Sequence, residues 1–479
     1  MSTFSSHRIG SRASEDNGYA STSESSVLRS LFELRKTYTH QSGDDVIQHL
    51  AFWNCEWSPR IIQSLRKILV RDGRRFASIK FFDCAIQSDK DNSQSFEQIL
   101  QMVLVNNSTA SLVIKGGKLI GNSNAQEPPQ SSCPLSCPST SVTNALREEL
   151  PANTSLASLN LSGLDFSSPS TVESLSNALS RNVTLQSVSL RQSSLDDESI
   201  SKILQSVMEH PNLNSIDLSK NYLGARKNNT ASSSTMALDS VSELLRSKTS
   251  KLEHLNLSNQ YQQHPIRTTY AQPLTHIAQE QIQEHMTAFG KALIALSTNQ
   301  GLKSIDLSRN PGCLSDPTSV EALSVCLSNN TCLEHVNISD CGMAPESIAY
   351  LARKCLPFCG ASLKSLVVFG SHLEESAFTC ASAAALEKGL LSNMTLENLG
   401  ELPCESENET IGITCKRIQH TLNLNKGGRR AFRSSLAHSA WSNILARAGN
   451  SEYDQPTGKE TPASVVFSLL RQGPILMEQ

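Results

Sequence analysis

Hydrophobic and polar positions alternate along this chain in one short recurring frame. It has a leucine, two other residues, an aliphatic residue, a polar residue, a second aliphatic residue, two more residues and then a small polar one. The frame is read at Leu156-ASLNLSGL, Leu185-QSVSLRQS, Leu213-NSIDLSKN, Leu252-EHLNLSNQ, Leu302-KSIDLSRN, Leu333-EHVNISDC, Leu363-KSLVVFGS and Leu396-ENLGELPC. Successive frames start 29, 28, 39, 50, 31, 30 and 33 residues apart. Upstream, Ile47-QHLAFWNC keeps it with Leu50, Phe52 and Cys55. Phe76-ASIKFFDC keeps it with Ile79, Phe81 and Cys84, and Thr109-ASLVIKGG keeps it more loosely. That makes about eleven repeats between residues 47 and 402.

The alternation within each frame puts its aliphatic side chains on one face of a short strand. The 20 or so residues that follow return the chain as a helix. Ser170-TVESLSNALSRN, Asp197-ESISKILQSVMEH and Thr318-SVEALSVCLSNN all carry apolar residues at i, i+3, i+4 and i+7. Asp, Ser or Thr at the helix start supplies an N-cap. A single repeat cannot bury its apolar face, so the repeats must stack. At the ninth frame position, Cys55, Cys84, Asn221, Asn310 and Cys341 are expected to turn inward and bond the buried backbone of the turn. Several cysteines are thereby explained without redox or metal chemistry.

This pattern resembles the leucine-rich repeat proteins of the ribonuclease-inhibitor-like subclass, with one helix in each repeat of roughly 28 to 30 residues. The resemblance covers about 350 residues. It implies an α/β solenoid, a horseshoe with a parallel sheet on its concave face, helices outside and a helical C-terminal cap.

Five segments follow from the pattern. Residues 1–26 are serine-rich and poor in large aliphatics, and read as a disordered head. Residues 27–120 hold an amphipathic cap helix, Val27–Tyr38, and the degenerate first repeats. Residues 121–140 are a low-complexity loop, 141–410 the main repeat array, and 411–479 a basic helical cap. In that cap Cys415-KRIQHTLNLNKGGRRAF reads as a helix with Ile418 and Leu422 facing the repeats. Ala440-WSNILARAG and Thr461-PASVVFSLLRQG read as two more. The three-part tail resembles the C-terminal region of leucine-rich repeat proteins of diatoms and related algae. Between Leu252 and Leu302, Gln260–Pro273 is an inserted loop carrying Tyr261, Arg267 and Tyr270, residue types favoured at binding hot spots.

Composition agrees with many small, similar core cells. There are 59 leucines and 74 serines, with only 5% aromatics. The net charge of −3 excludes a global polyanion-binding surface. The start, MSTFSSHRIGSRASEDNG, has no apolar h-region and no apolar run reaches 18 residues. A cytoplasmic or nuclear location, thirteen reduced cysteines and no membrane association are the expectations. Ile411–Arg447 has seven Lys and Arg and no acid. Cations near helix C-termini account for that, so nucleic acid is not the expected partner.

No phosphate-binding, dinucleotide-binding, zinc-protease or nucleophile-elbow motif occurs. Cys133-x-x-x-Cys137 and Cys355-x-x-x-Cys359 lack the second pair that zinc needs. Asn182-Val-Thr, Asn330-Thr-Cys and Asn393-Met-Thr, each just before a strand, read as helix-ending asparagines rather than glycan sites. No catalytic residue, cofactor or metal is therefore expected.

The resemblance makes the concave face the main functional surface. Its central column reads Asn160, Ser189, Asp217, Asn256, Asp306, Asn337, Val367. Two residues earlier stand Ser158, Ser187, Ser215, His254, Ser304, His335 and Ser365. Two residues later stand Ser162, Arg191, Ser219, Ser258, Ser308, Ser339 and Phe369. Asp217 and Asp306 suit a partner bearing Lys or Arg. Aromatics are nearly absent from these columns, and Val367 and Phe369 mark the stickier end. The expected function is a monomeric, non-catalytic scaffold that binds a protein partner through this face and the protruding loops. A small-GTPase regulator resembling the Ran GTPase-activating proteins is the alternative; the basic tail stands where those proteins typically carry an acidic one.

Overall fold

The computed structural model describes residues 6–9, 24–38, 47–53, 55, 58–71, 76–82, 90–107, 109–115, 139–223, 235–260, 288–310, 312–370, 378–406 and 408–426. Contacts divide the chain into two compact units, Met1–Ala288 and Phe289–Gln479. In the first, strands and helices alternate: β1 (Ser6–Ile9), α1 (Glu24–Tyr38), β2 (Ile47–Trp53), α2 (Pro59–Arg66), β3 (Phe76–Phe82), α3 (Lys90–Val105), β4 (Thr109–Lys115) and α4 (Ser139–Glu149). There follow β5 (Ser158–Asn160), α5 (Pro169–Arg181), β6 (Ser187–Ser189), α6 (Asp197–Val207), β7 (Ser215–Asp217), α7 (Met236–Arg246) and β8 (His254–Asn256). The boundary falls in the first turn of a helix described over 288–298, here α8, and the second unit continues with β9 (Ser304–Asp306), α9 (Pro317–Asn329), β10 (His335–Asn337) and α10 (Pro345–Lys354). It ends with β11 (Ser365–Phe369), α11 (Cys380–Ser392), β12 (Asn398–Gly400) and α12 (Glu409–Lys426).

Within each unit consecutive strands pair in parallel, and all but β11 with β12 pair in register: Asn160 opposite Ser189, Ser189 opposite Asp217, Asp306 opposite Asn337. Each unit is a leucine-rich repeat stack, an α/β solenoid of strands on one side and helices on the other. Parallel pairing demands a crossover, and each helix supplies it. The frame's leucines fill the layer between. Leu159, Leu161 and Leu164 of one repeat are fully buried with Leu175 and Leu179 of its helix. Burying each such side chain contributes about 2 kcal/mol. In the first repeats phenylalanine replaces leucine, and Phe52, Phe76 and Phe81 are buried.

Two sets of small polar side chains close the backbone between repeats. At the ninth frame position Asn221 donates to Leu190 O at 2.9 Å and Leu218 O at 2.8 Å, and accepts from Ser193 N–H at 2.9 Å. Asn310 donates to Leu307 O at 2.7 Å, and Cys341 Sγ donates to the same oxygen at 3.1 Å. Cys55 is buried with its thiol on Trp53 O at 3.4 Å. Gln260 takes this place in its own repeat, donating to Leu218 O at 3.0 Å. Cys84 lies outside the described residues. The residue before this position, at Gln192, Lys220, Asn259, Arg309 and Asp340, has φ between 54° and 58°. The left-handed bend is what turns the ninth side chain inward.

The second set ends the helices. Asn182 donates to Leu150 O at 2.7 Å and accepts from Thr184 N–H and Leu185 N–H at 2.9 Å each. Asn330 and Asn393 repeat the arrangement, and all three are buried. These asparagines are structural parts of the repeat.

The structure departs from the sequence pattern in places. Ser6–Ile9 is a strand paired with β2, although it lies in the head read as disordered. The open edge of a sheet offers unpaired backbone groups, and these residues satisfy them. The cap helix starts at Glu24, before Val27, and buries Val27, Leu31 and Leu34. β4 pairs with β5, so the repeats before and after 121–140 share one sheet. The helix expected from Cys415 begins at Glu409, because Asn408 Oδ1 accepts from Thr410 N–H at 3.1 Å and Ile411 N–H at 3.3 Å. The cap of α6 is Asp196, one residue before the expected Asp197, which is itself buried and accepts from Ala237 N–H at 3.2 Å. The two later helices of the tail and the loop 121–140 lie outside the described residues. Among the described residues no helix is long and apolar enough to cross a membrane.

Candidate functional site

The strands bring the three polar columns together, unit by unit. In the first unit Asn160, Ser189, Asp217 and Asn256 stand side by side, and in the second Asp306, Asn337 and Val367. All seven are half-buried. His254, next to Ser215, and His335, next to Ser304, are exposed, as is Arg191.

The central column is tied to its own backbone. Asn160 Oδ1 accepts from Ser162 N–H at 3.0 Å, Asp217 Oδ1 from Ser219 N–H at 3.0 Å and Asn256 Oδ1 from Ser258 N–H at 2.9 Å. Asp306 Oδ1 accepts from Ser308 N–H at 2.9 Å and Asn337 Oδ1 from Ser339 N–H at 3.2 Å. A side-chain oxygen bonding the N–H two residues on is the Asx turn, and here it closes the end of each strand. Asp217 is held twice, since Ser189 Oγ donates to its Oδ2 at 3.3 Å, and Ser189 Oγ in turn lies 3.0 Å from Ser162 Oγ. Each acid thus leaves part of one carboxylate for a partner, in a fixed direction.

Two expected residues change place. Phe369 is 1% exposed and packs edge-on against Phe378, with ring centroids 5.0 Å apart at 83°. The cause is the pairing of β11 with β12. Ser365 to Phe369 spans the same ladder as Asn398 to Gly400, so the longer strand bulges and both Val368 and Phe369 turn inward. Phe369 is therefore core, and of the two only Val367 stays on the open face. Tyr261, Arg267 and Tyr270 lie outside the described residues.

The face is not poor in aromatics at its beginning. Trp53 stacks on Phe82 with ring centroids 4.1 Å apart at 20°, and Lys115 Nζ lies 6.0 Å from the Phe82 centroid. These residues end β2, β3 and β4 in register and occupy the third column, which reading only from Leu156 onward omits. The frames Ile47-QHLAFWNC and Phe76-ASIKFFDC carry the signal: the residue before the last two positions is Trp53 in one and Phe82 in the other.

Cys355 and Cys359 bring their sulfurs to 3.2 Å across a short 3₁₀ turn. Among the described residues no three His, Cys, Asp or Glu side chains are placed to hold a metal ion. Burial pushes the Cys313 thiol up to about 12, and burial, with Cys355 nearby, does the same to Cys326. They are core residues in chemistry as well as in position.

Parallel strands stacked by a leucine frame define the fold: a leucine-rich repeat solenoid whose strands carry a polar face in each unit. No protein-family model and no curated protein matches the chain significantly. Solved structures do. The C-terminal domain of tropomodulin from Caenorhabditis elegans is 15% identical, covering 41% of this chain and 97% of its own, with a TM-score of 0.30. Actin-binding site 2 of leiomodin-1 is 14% identical over 43% of this chain and 95% of its own, at 0.27. TLR13 in complex with the RNA ssRNA13 is 14% identical over 73% of this chain and 37% of its own, at 0.33. Likeness at these levels says nothing of partner or activity.

Proposed function

We propose that the chain is a non-catalytic scaffold that binds a protein partner through the open strand face. The observation that carries this is the backbone-locked central column. Asn160, Asp217, Asn256, Asp306 and Asn337 each hold their carboxylate or carboxamide by an Asx bond. A face whose side chains are already ordered loses little entropy on binding. Asp217 in the first unit and Asp306 in the second each favour a partner segment that brings Lys or Arg, with the exposed His254 and His335 on neighbouring strands of their own units.

The test follows from the geometry. Asp217→Asn with Asp306→Asn keeps the Asx acceptor and removes the charge. Affinity capture with the wild-type chain is expected to recover a stoichiometric protein, and the double variant to recover several-fold less. Equal recovery would remove the face from the function.

A further inference from the structure

We infer that the Trp53–Phe82 pair and the lysines beside it form a docking point for an acidic polypeptide segment. This rests on the scaffold reading above and names the chemistry of one part of the partner.

The patch is built in two tiers. Phe52 and Phe81 stack with ring centroids 5.3 Å apart at 8°, fully buried in the core. Each stands one residue before Trp53 or Phe82, so the buried stack fixes the two backbones that carry the outer one. Trp53 and Phe82 are half-buried on the opposite face of the same strands. Strands in a sheet lie about 4.8 Å apart, so residues matched in register are immediate neighbours. Phe82 is thus flanked by Trp53 on β2 and Lys115 on β4, and Lys80 stands two residues before Phe82 on the same face.

Charge decides what fits. β2, β3 and β4 carry Lys80, Lys115 and the exposed His49, and no acidic residue. Lys115 is exposed and Lys80 half-exposed, and among the described residues neither is in an ion pair. The rings add to this field. With the indole on one side of Phe82 and the ammonium on the other, Phe82 presents its edge to the opening. An aromatic edge carries the positive part of the ring quadrupole, so it attracts carboxylates as the lysines do. Apolar ring area between two ammonium groups suits a chain that alternates Glu or Asp with a large apolar side chain. Single-stranded nucleic acid needs open ring faces on which bases stack, and those of Phe82 are taken.

The experiment uses the full-length chain and three fluorescein-labelled probes: a twelve-residue peptide alternating Glu with Phe and Leu, the same peptide with Gln for Glu, and oligouridylate. The acidic peptide should bind with an affinity that falls as salt rises, at least tenfold tighter than the Gln peptide or the oligonucleotide. Lys80→Glu with Lys115→Glu should weaken it at least tenfold. Lys291→Glu with Lys388→Glu, the same charge change on exposed helix positions, should not. Circular dichroism melting checks that both variants fold. No binding of the acidic peptide, equal binding to the Lys80/Lys115 variant, or tighter binding of oligouridylate that this variant loses would overturn the proposal. The scaffold reading is judged separately, by whether wild-type chain captures a stoichiometric protein. If it does and the Lys80/Lys115 variant captures as much, only the docking point fails.

Discussion

Asn330 Nδ2 donates to the main-chain oxygen of Leu296, 2.8 Å away and one repeat earlier. The same group reaches Asn299 O at 2.8 Å, while Asn330 Oδ1 accepts from Cys332 N–H and Leu333 N–H at 2.8 Å each. One buried carboxamide therefore closes four backbone groups between two repeats. Asn330→Ala leaves them all without that partner. An unpaired buried group costs on the order of 1–3 kcal/mol, and local relaxation recovers part of it, so a net loss of about 3 kcal/mol is expected. Urea unfolding followed by circular dichroism reads it. A loss under 1 kcal/mol would show that the repeats do not depend on this bond.

In one repeat the helix-ending position holds histidine. His210 is buried, and its Nδ1 accepts from Leu213 N–H at 2.9 Å and Asn212 N–H at 3.3 Å, as Asn182 Oδ1 does for Leu185 and Thr184. That geometry assigns the ring proton to Nε2. Burial lowers the pKa of His210, although a backbone bond to Asn182 pulls the other way. The unfolded chain, near 6.5, then takes up a proton that the folded chain refuses. The contribution of His210 is full above about pH 6.5 and is lost as pH falls from there toward the lower folded value. Melting temperature should drop between pH 7 and pH 5 more steeply for the wild type than for His210→Asn, which keeps an acceptor that does not titrate. Parallel curves would show that His210 is not protonated on unfolding.

Asp306 offers two features that can be tested apart. Its Oδ1 holds Ser308 N–H at 2.9 Å, which is architecture, and under the proposed function its charge is what a partner would read. Asp306→Asn should leave stability within a few tenths of a kcal/mol, and Asp306→Ala should cost about 1 kcal/mol, the net value of one such bond. Chemical unfolding of the two variants separates them. Equal stabilities would mean that the Asx bond adds nothing and that the column is free to move.

The frame was legible because it recurs about eleven times, and each recurrence fixes which residues face inward. The helix-ending asparagines were legible for the same reason. Phe369 was misread because the bulge between β11 and β12 depends on the pairing of two strands, which the spacing of one does not show. Trp53 and Phe82 were passed over because the first repeats fill their cells with phenylalanine and look irregular beside the leucine frames. For Asp217 and Asp306 the charge was legible but the Asx bond was not: an Asp two residues before a Ser fits a solvated side chain as well as an Asx turn, and only the turn geometry distinguishes them.

Cys404 follows β12 and is half-buried, while Cys415, in the second turn of α12, is buried. A hydrogen bond from the Cys415 thiol lowers the pKa of Cys404 to about 7, with Lys416 assisting and burial opposing. The same bond, with burial, pushes the Cys415 thiol up. One sulfur of the pair thus holds the thiolate and the other the proton. Thiolate is the reactive form, so Cys404 should be alkylated by iodoacetamide at neutral pH well ahead of the buried Cys313, Cys326 and Cys341. Its rate should rise with a midpoint near pH 7. Cys415→Ala removes the donor and should move that midpoint toward the ordinary thiol value near 8.5. Mass-spectrometric mapping of the alkylated peptides across pH 5.5 to 9.5, roughly four pH units that bracket both values, resolves the two curves. A wild-type midpoint already near 8.5, or no shift in the variant, would show that Cys415 does not stabilise the thiolate.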